Sequence, residues 1–136
     1  MNKEEAENKI QDFLTVISNH GYHIKTTIIN NLQIYNFWVG NIVLGRVYVT
    51  TYGNEDKKTY DIQAWTETRV IMTDQVSFLK NRVSHDVQIK VNNTKWFRIS
   101  DPNEFKKFLE WETIMTKHLK TAFAKKRRME LDVDFE

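Results

Sequence analysis

The last third of the chain limits most strongly what this protein can fold into. Asp101-Pro102-Asn103-Glu104 supplies an N-cap, a proline at the first helical position and a glutamate placed to close a capping box. Behind it Phe105, Phe108, Trp111, Met115, Leu119, Ala122 and Phe123 recur at three- and four-residue steps, which is one stripe of a helix. The pattern predicts a helix over about 102–128, with acids early and Lys/Arg late, as the helix dipole favours. A single apolar stripe of that length needs a broad apolar surface to lie on.

A strand-rich middle supplies it. The first segment, 3–19, is a second amphipathic helix, with Ala6, Ile10, Phe13, Leu14 and Ile17 on one side, Asn2 as cap and Gly21 behind the last turn. Runs rich in β-branched and aromatic residues follow at 22–29, 32–39, 42–52 and 59–72, separated by Asn30-Asn31, Gly40-Asn41 and Gly53-Asn54-Glu55-Asp56. Thr73-Asp74 reads as the cap of a short helix over 75–82. Asp86–Val91 and Lys95–Ile99 read as a hairpin across Asn92-Asn93. The fold class expected is α+β: an antiparallel sheet, a four-stranded meander plus a hairpin, flanked by an N-terminal helix and a long C-terminal helix. Residues 1–128 form one domain in this reading. Residues 129–136, with Glu130, Asp132, Asp134 and Glu136 and no basic residue, form an acidic, flexible tail.

Composition narrows the class. Aromatics make up 12% of 136 residues, too many for a disordered chain. There is no cysteine, so neither a disulfide framework nor a thiolate zinc site is expected. No apolar run is long enough to span a bilayer, and the acidic N-terminus is unlike a signal peptide. Those points give an expectation of a cytoplasmic protein without membrane contact. The formal charge of +2 is mildly basic, short of a dedicated duplex-DNA binder. Abundant Asn, Lys, Ile and Thr point to AT-rich coding, and so, by association, to a low-GC bacterium or its phage.

With Gly40-Asn41 as a two-residue loop, Val39 lies opposite Ile42, and pairing outward from there sorts side chains onto two faces. Leu32, Ile34, Trp38, Val43, Val47 and Val49 then share the core face, with Ile62, Ala64, Val87, Ile89, Val91, Phe97 and Ile99. The opposite face carries Tyr35, Phe37, Leu44, Arg46, Tyr48, Gln63, Trp65, Lys90, Trp96 and Arg98. A solvated face is normally more polar, and an aromatic patch of this size marks an interface. Three readings follow: a second element or a second copy buries the face; a protein partner uses Trp, Tyr and Arg as anchors; or single-stranded nucleic acid stacks on the rings.

Recognisable chemistry is missing. His20-Gly21-Tyr22-His23 has metal-like spacing but no cysteine or third ligand beside it, so no metal or cofactor is expected. Glu4/Glu5 and Glu110/Glu112 read as solvated helix faces, and no phosphate-cradling loop or nucleophile elbow occurs. Lys117, Lys120, Lys125, Lys126, Arg127 and Arg128 form the densest charge cluster, suited to phosphates or simply to a helix C-terminus.

The expected function is that of a non-enzymatic binding protein, an accessory protein of a phage or mobile element. It would inhibit a host macromolecule, such as a defence nuclease complex, by occupying it. Its partner-binding residues would be Tyr35, Phe37, Arg46, Tyr48, Trp65, Lys90, Trp96 and Arg98. The alternatives are a single-stranded nucleic-acid binder using the basic helix end, and a small enzyme of unknown chemistry. A protein partner is expected first, then nucleic acid, with a homodimer also open.

Overall fold

The two terminal helices differ in length because their caps and stripes differ. In the computed structural model, which describes residues 1–54 and 56–132, α1 spans Lys3–Asn19 and starts where Asn2 accepts the Glu5 amide at 2.8 Å. It ends at His20, followed by Gly21 at φ 85°. Five strands follow: β1 (His23–Ile29), β2 (Leu32–Val39), β3 (Ile42–Tyr52), β4 (Thr59–Leu79) and β5 (Arg82–Arg98). Then comes α2 (Pro102–Asp132), whose start is held by Asp101 accepting the Asn103 amide.

The strands form one antiparallel meander in the order β1-β2-β3-β4-β5. The α+β class and the antiparallel sheet are as the sequence indicates, but the second half of the sheet is built differently. No helix forms over 75–82. That segment is the end of β4 and the beginning of β5, joined through Lys80 and Asn81, both at positive φ (44° and 69°), the geometry of a tight two-residue hairpin turn. Val76 and Phe78 alternate as strand residues do, and Phe78 stands 78% exposed near the tip. Asn92-Asn93 is not a turn. The strand continues past it, pairing Thr94 with Glu67 and Asn92 with Arg69, while Asn93 between them sits at φ 67°, its side-chain amide donating to Thr68 Oγ1 at 2.9 Å and its carbonyl accepting from that hydroxyl at 2.6 Å. Local turn propensity loses there to pairing with β4 on both sides of Asn93. Helix α2 also runs past 128, so Met129–Asp132 are helical rather than tail; residues 133–136 lie outside the described residues.

Both helices cover one face of the sheet. The core joins Phe13 and Ile17 of α1, Phe105, Phe108, Met115 and Leu119 of α2, and Tyr35, Phe37, Leu44, Val47, Val49, Ile62, Ala64, Phe97 and Ile99 of the sheet. This corrects the expected faces of the first hairpin. Val39 pairs with Ile42 and Trp38 with Val43, but a bulge between Phe37 and Trp38 then sets Phe37 opposite Gly45, Tyr35 opposite Val47 and Ile34 opposite Tyr48. One extra residue in β3 reverses which side each residue of β2 faces. Tyr35 and Phe37, expected on the open face, are 7% and 0% exposed, and Leu44 is buried with them. Leu32, Ile34, Trp38 and Val43 are the ones facing away.

The bulge has a visible cause. Phe37 is large, and its ring packs where a side chain on Gly45 would stand; a Cβ there would collide with the ring and with the Trp65 carbonyl. Phe13 and Phe108 meet the Phe37 ring edge-on at 5.6 and 6.3 Å, the arrangement ring quadrupoles favour. The register therefore seats Phe37 in the core against Gly45 and leaves the larger Trp38 on the other face.

Candidate functional site

The sheet face away from the helices carries the candidate site. Opposed residues line up in two rows across β3, β4 and β5. Arg46 faces Trp65 and Trp65 faces Trp96; beside them Tyr48 faces Gln63 and Gln63 faces Arg98. Each residue reaches this face because strand alternation puts its neighbours, Val47, Ala64 and Phe97, into the core.

The side chains are already organised. The Tyr48 and Trp96 rings stack with centroids 5.8 Å apart and planes 22° apart. The Trp65 indole N–H donates to the Tyr48 hydroxyl at 3.4 Å, and the Arg46 guanidinium sits 5.9 Å from the Trp65 ring centre, within cation–π range. Arg98 Nε lies 3.9 Å from Asp61, whose carboxylate also accepts from Ser100 at 2.9 Å. Arg46 thus carries its charge over an indole, while Arg98 faces an acid. Trp96 remains 56% exposed, and Trp65 and Tyr48 are half-buried.

Of the eight partner-binding residues expected from sequence, Arg46, Tyr48, Trp65, Trp96 and Arg98 come together here. Tyr35 and Phe37 are under the helices. Lys90 is exposed but sits farther out on β5, opposite Ile71. The basic cluster lies on the other layer, on the second half of α2. Lys117, Lys120, Lys125, Arg127 and Arg128 are exposed there, and Lys126 pairs with Glu130 at 3.8 Å.

A second polar group was not legible as a site. Glu112, assigned above to a solvated helix face, is 0% exposed. His20 Nδ1 lies 2.9 Å from Glu112 Oε1 and 2.7 Å from Oε2, Thr116 Oγ1 lies 2.8 Å from Oε1, and the Tyr22 hydroxyl is 3.2 Å from Thr116. Oε1 takes the aligned hydrogen bond; Oε2 is close to the imidazole but off the N–H direction and has no aligned partner. Burial raises the Glu112 pKa, against the smaller opposing pull of hydrogen bonds from His20 and Thr116. Burial likewise pushes Tyr22 up to about 12. The spacing held a signal: Phe108, Glu112, Met115 and Leu119 follow at four, three and four residues, so Glu112 sits in the apolar stripe itself. The group fastens the end of α1 to the middle of α2. Among the described residues no group of three or more His, Asp or Glu is placed to hold a metal ion, and no helix is long and apolar enough to cross a membrane.

Fold and face together define a two-layer α+β domain with helices on one side of the sheet and an uncovered aromatic–basic surface on the other. No family model, curated protein or solved structure matches the chain.

Proposed function

We propose that this chain is a non-enzymatic binding protein that attaches to a protein partner through the open sheet face, with Trp96, Trp65, Tyr48, Arg46 and Arg98 as anchors. The observation that carries the reading is the pre-organised cluster itself: stacked rings and an indole-capping guanidinium on a face that neither helix covers. Trp, Tyr and Arg are the residues that dominate binding energy at protein interfaces. Rings fixed by one another lose little entropy when a partner arrives.

The same geometry ranks a protein above single-stranded nucleic acid. Bases stack on free ring faces, but Tyr48 and Trp96 already turn faces toward each other and Arg46 covers Trp65. The basic run of α2, which would have to hold phosphates, is on the opposite layer. The finer version of the proposal is an accessory protein of a phage or mobile element that blocks a host macromolecule by occupying it. Its support is the AT-rich residue usage and the lack of a recognisable catalytic motif in the sequence.

The test is capture from a host lysate on the immobilised protein, repeated with Trp96→Ala and Arg46→Ala. Loss of one specific captured protein, with an unchanged melting temperature, is the expected result. Capture indifferent to both substitutions would remove the sheet face as the site. Salt-sensitive binding of an unstructured oligonucleotide, lost in the same variants, would replace the protein partner by nucleic acid.

A further inference from the structure

We propose that the outer edge of β5 is a self-association surface, at which two copies of this chain pair their β5 strands antiparallel about a two-fold axis at Gln88. The proposal goes beyond the open-face reading and uses different residues.

The edge is long and unpaired. Among the described residues β5 is last in the sheet and pairs only with β4. Among the described residues its other side makes no backbone hydrogen bond between Arg82 and Phe97; only the Arg98 carbonyl is used, by the Asp101 amide. The opposite edge, β1, has seven residues, whereas β5 has seventeen. A row of free N–H and C=O groups that long is a template for another strand.

The middle of the edge is also accessible. Asp86, Val87, Gln88, Ile89, Lys90 and Val91 all line one open cleft of about 610 Å³, with Asn41, Ile42 and Val43 across it and Phe123 and Lys126 of α2 beside it. Asp86, Gln88 and Lys90 on this stretch are exposed.

Charge selects both the occupant and the register. A continuous sheet must place helix-side residues opposite helix-side residues, which allows two-fold axes at residues but not between them. With the axis at Gln88, Val87 faces Ile89 of the second copy, and Asp86 faces Lys90, twice over. Moving the axis to Val87 sets Asp86 against Gln88 and Lys90 against Ser84. Moving it to Ile89 sets Asp86 against Asn92 and Lys90 against Gln88. Of these three, only the Gln88 axis satisfies both charges with their opposites, and opposed charges across a ladder stabilise it. A lysine on an edge ordinarily deters pairing. Here an aspartate four residues away lets a second copy of the same strand neutralise it.

Because the chain has no cysteine, a single introduced thiol reports the register. Gln88→Cys faces itself at the axis, and oxidation should give a covalent dimer. Ser84→Cys and Asn92→Cys should stay monomeric on oxidation when separate and cross-link when mixed. In sedimentation equilibrium the unmodified chain should be a dimer. Asp86→Lys or Lys90→Asp should each weaken it by roughly tenfold, since like charges then oppose, and the double exchange should restore it. Melting temperatures of all variants separate lost association from lost fold. A monomer at every concentration tested would overturn the proposal. So would Gln88→Cys cross-linking no better than Ser84→Cys alone, or a charge exchange that fails to rescue.

Discussion

The two faces of the sheet use the same kinds of side chain for opposite purposes. On the helix side, Tyr35, Phe37 and Phe97 meet Phe13 and Phe108, with centroids from 5.6 to 6.3 Å apart and planes mostly steeply inclined, and they are almost fully enclosed. On the open side, Tyr48 and Trp96 lie nearly parallel, and arginine rather than another ring covers Trp65. Tyrosine and tryptophan bring a polar tip that the open side can satisfy locally, as the Trp65–Tyr48 hydrogen bond shows. Phenylalanine has no such tip, and among the described residues none stands on the open face near this cluster. The lesson is that ring content says little about which face is the core; the pairing register decides it.

The largest effect on that contrast should come from removing a ring on the covered side. Phe37→Ala leaves a void beside Phe13 and Phe108 and should cost about 3–5 kcal/mol, read as a lower urea midpoint at unchanged slope. Gly45→Ala attacks the same spot from the other strand. Its Cβ meets the Phe37 ring and the Trp65 carbonyl, and a backbone atom cannot swing away, so about 1–3 kcal/mol of overpacking is expected. If Gly45→Ala were neutral, the tight crossing at the bulge would not be what sets the register.

That bulge also marks the limit of what the sequence could say. Both terminal helices, their caps, the strand-rich middle and the alternation of Ile62, Ala64, Val87 and Phe97 were readable, because each rests on local periodicity or capping chemistry. The face of β2 was not. Its alternation is clean, but the choice between Ile34 inside and Phe37 inside depends on one unpaired residue in β3, which no local pattern announces. The ribbon formed by the outer parts of β4 and β5 was hidden for a related reason. Thr73-Asp74 and Asn92-Asn93 look like a cap and a turn in isolation, and only pairing between strands outweighs them. Three of the five residues that make the open face, Trp65, Trp96 and Arg98, lie on strands whose alternation was read correctly, although their pairing with each other was not. Arg46 and Tyr48 were placed rightly even though their partner strand was not, because alternation beyond the bulge in β3 was read correctly.

A smaller effect is expected at Glu112, which interrupts the covered face with a charge-bearing group. Its folded-state pKa is raised above the ordinary 4.5 by burial. The fold therefore prefers the protonated carboxyl: its contribution is complete below the ordinary value and is lost as pH rises through the raised one. Glu112→Gln keeps the shape and cannot ionise. The stability of the natural chain minus that of the variant should fall as pH is raised above the ordinary carboxylate range, measured by urea midpoints. A difference that grows with pH would mean that the ion pair with His20 outweighs desolvation, making this an electrostatic clasp.

The smallest change in stability should come from the open face. Trp96 gives up only part of its surface in the free protein, and its contact is one stacked ring, so Trp96→Ala should cost no more than about 1 kcal/mol. The substitution also frees one face of Tyr48. A core ring and a surface ring would then differ several-fold in cost on the same sheet, with the cheaper one carrying the larger loss of partner binding. Equal costs for Phe37→Ala and Trp96→Ala would place Trp96 among the groups that hold the fold together, and the open face would be a second structural layer waiting for its cover rather than an anchor for a partner. Comparing the two variants by denaturation before any binding experiment decides between these, because a residue that holds the fold reports it without a partner present.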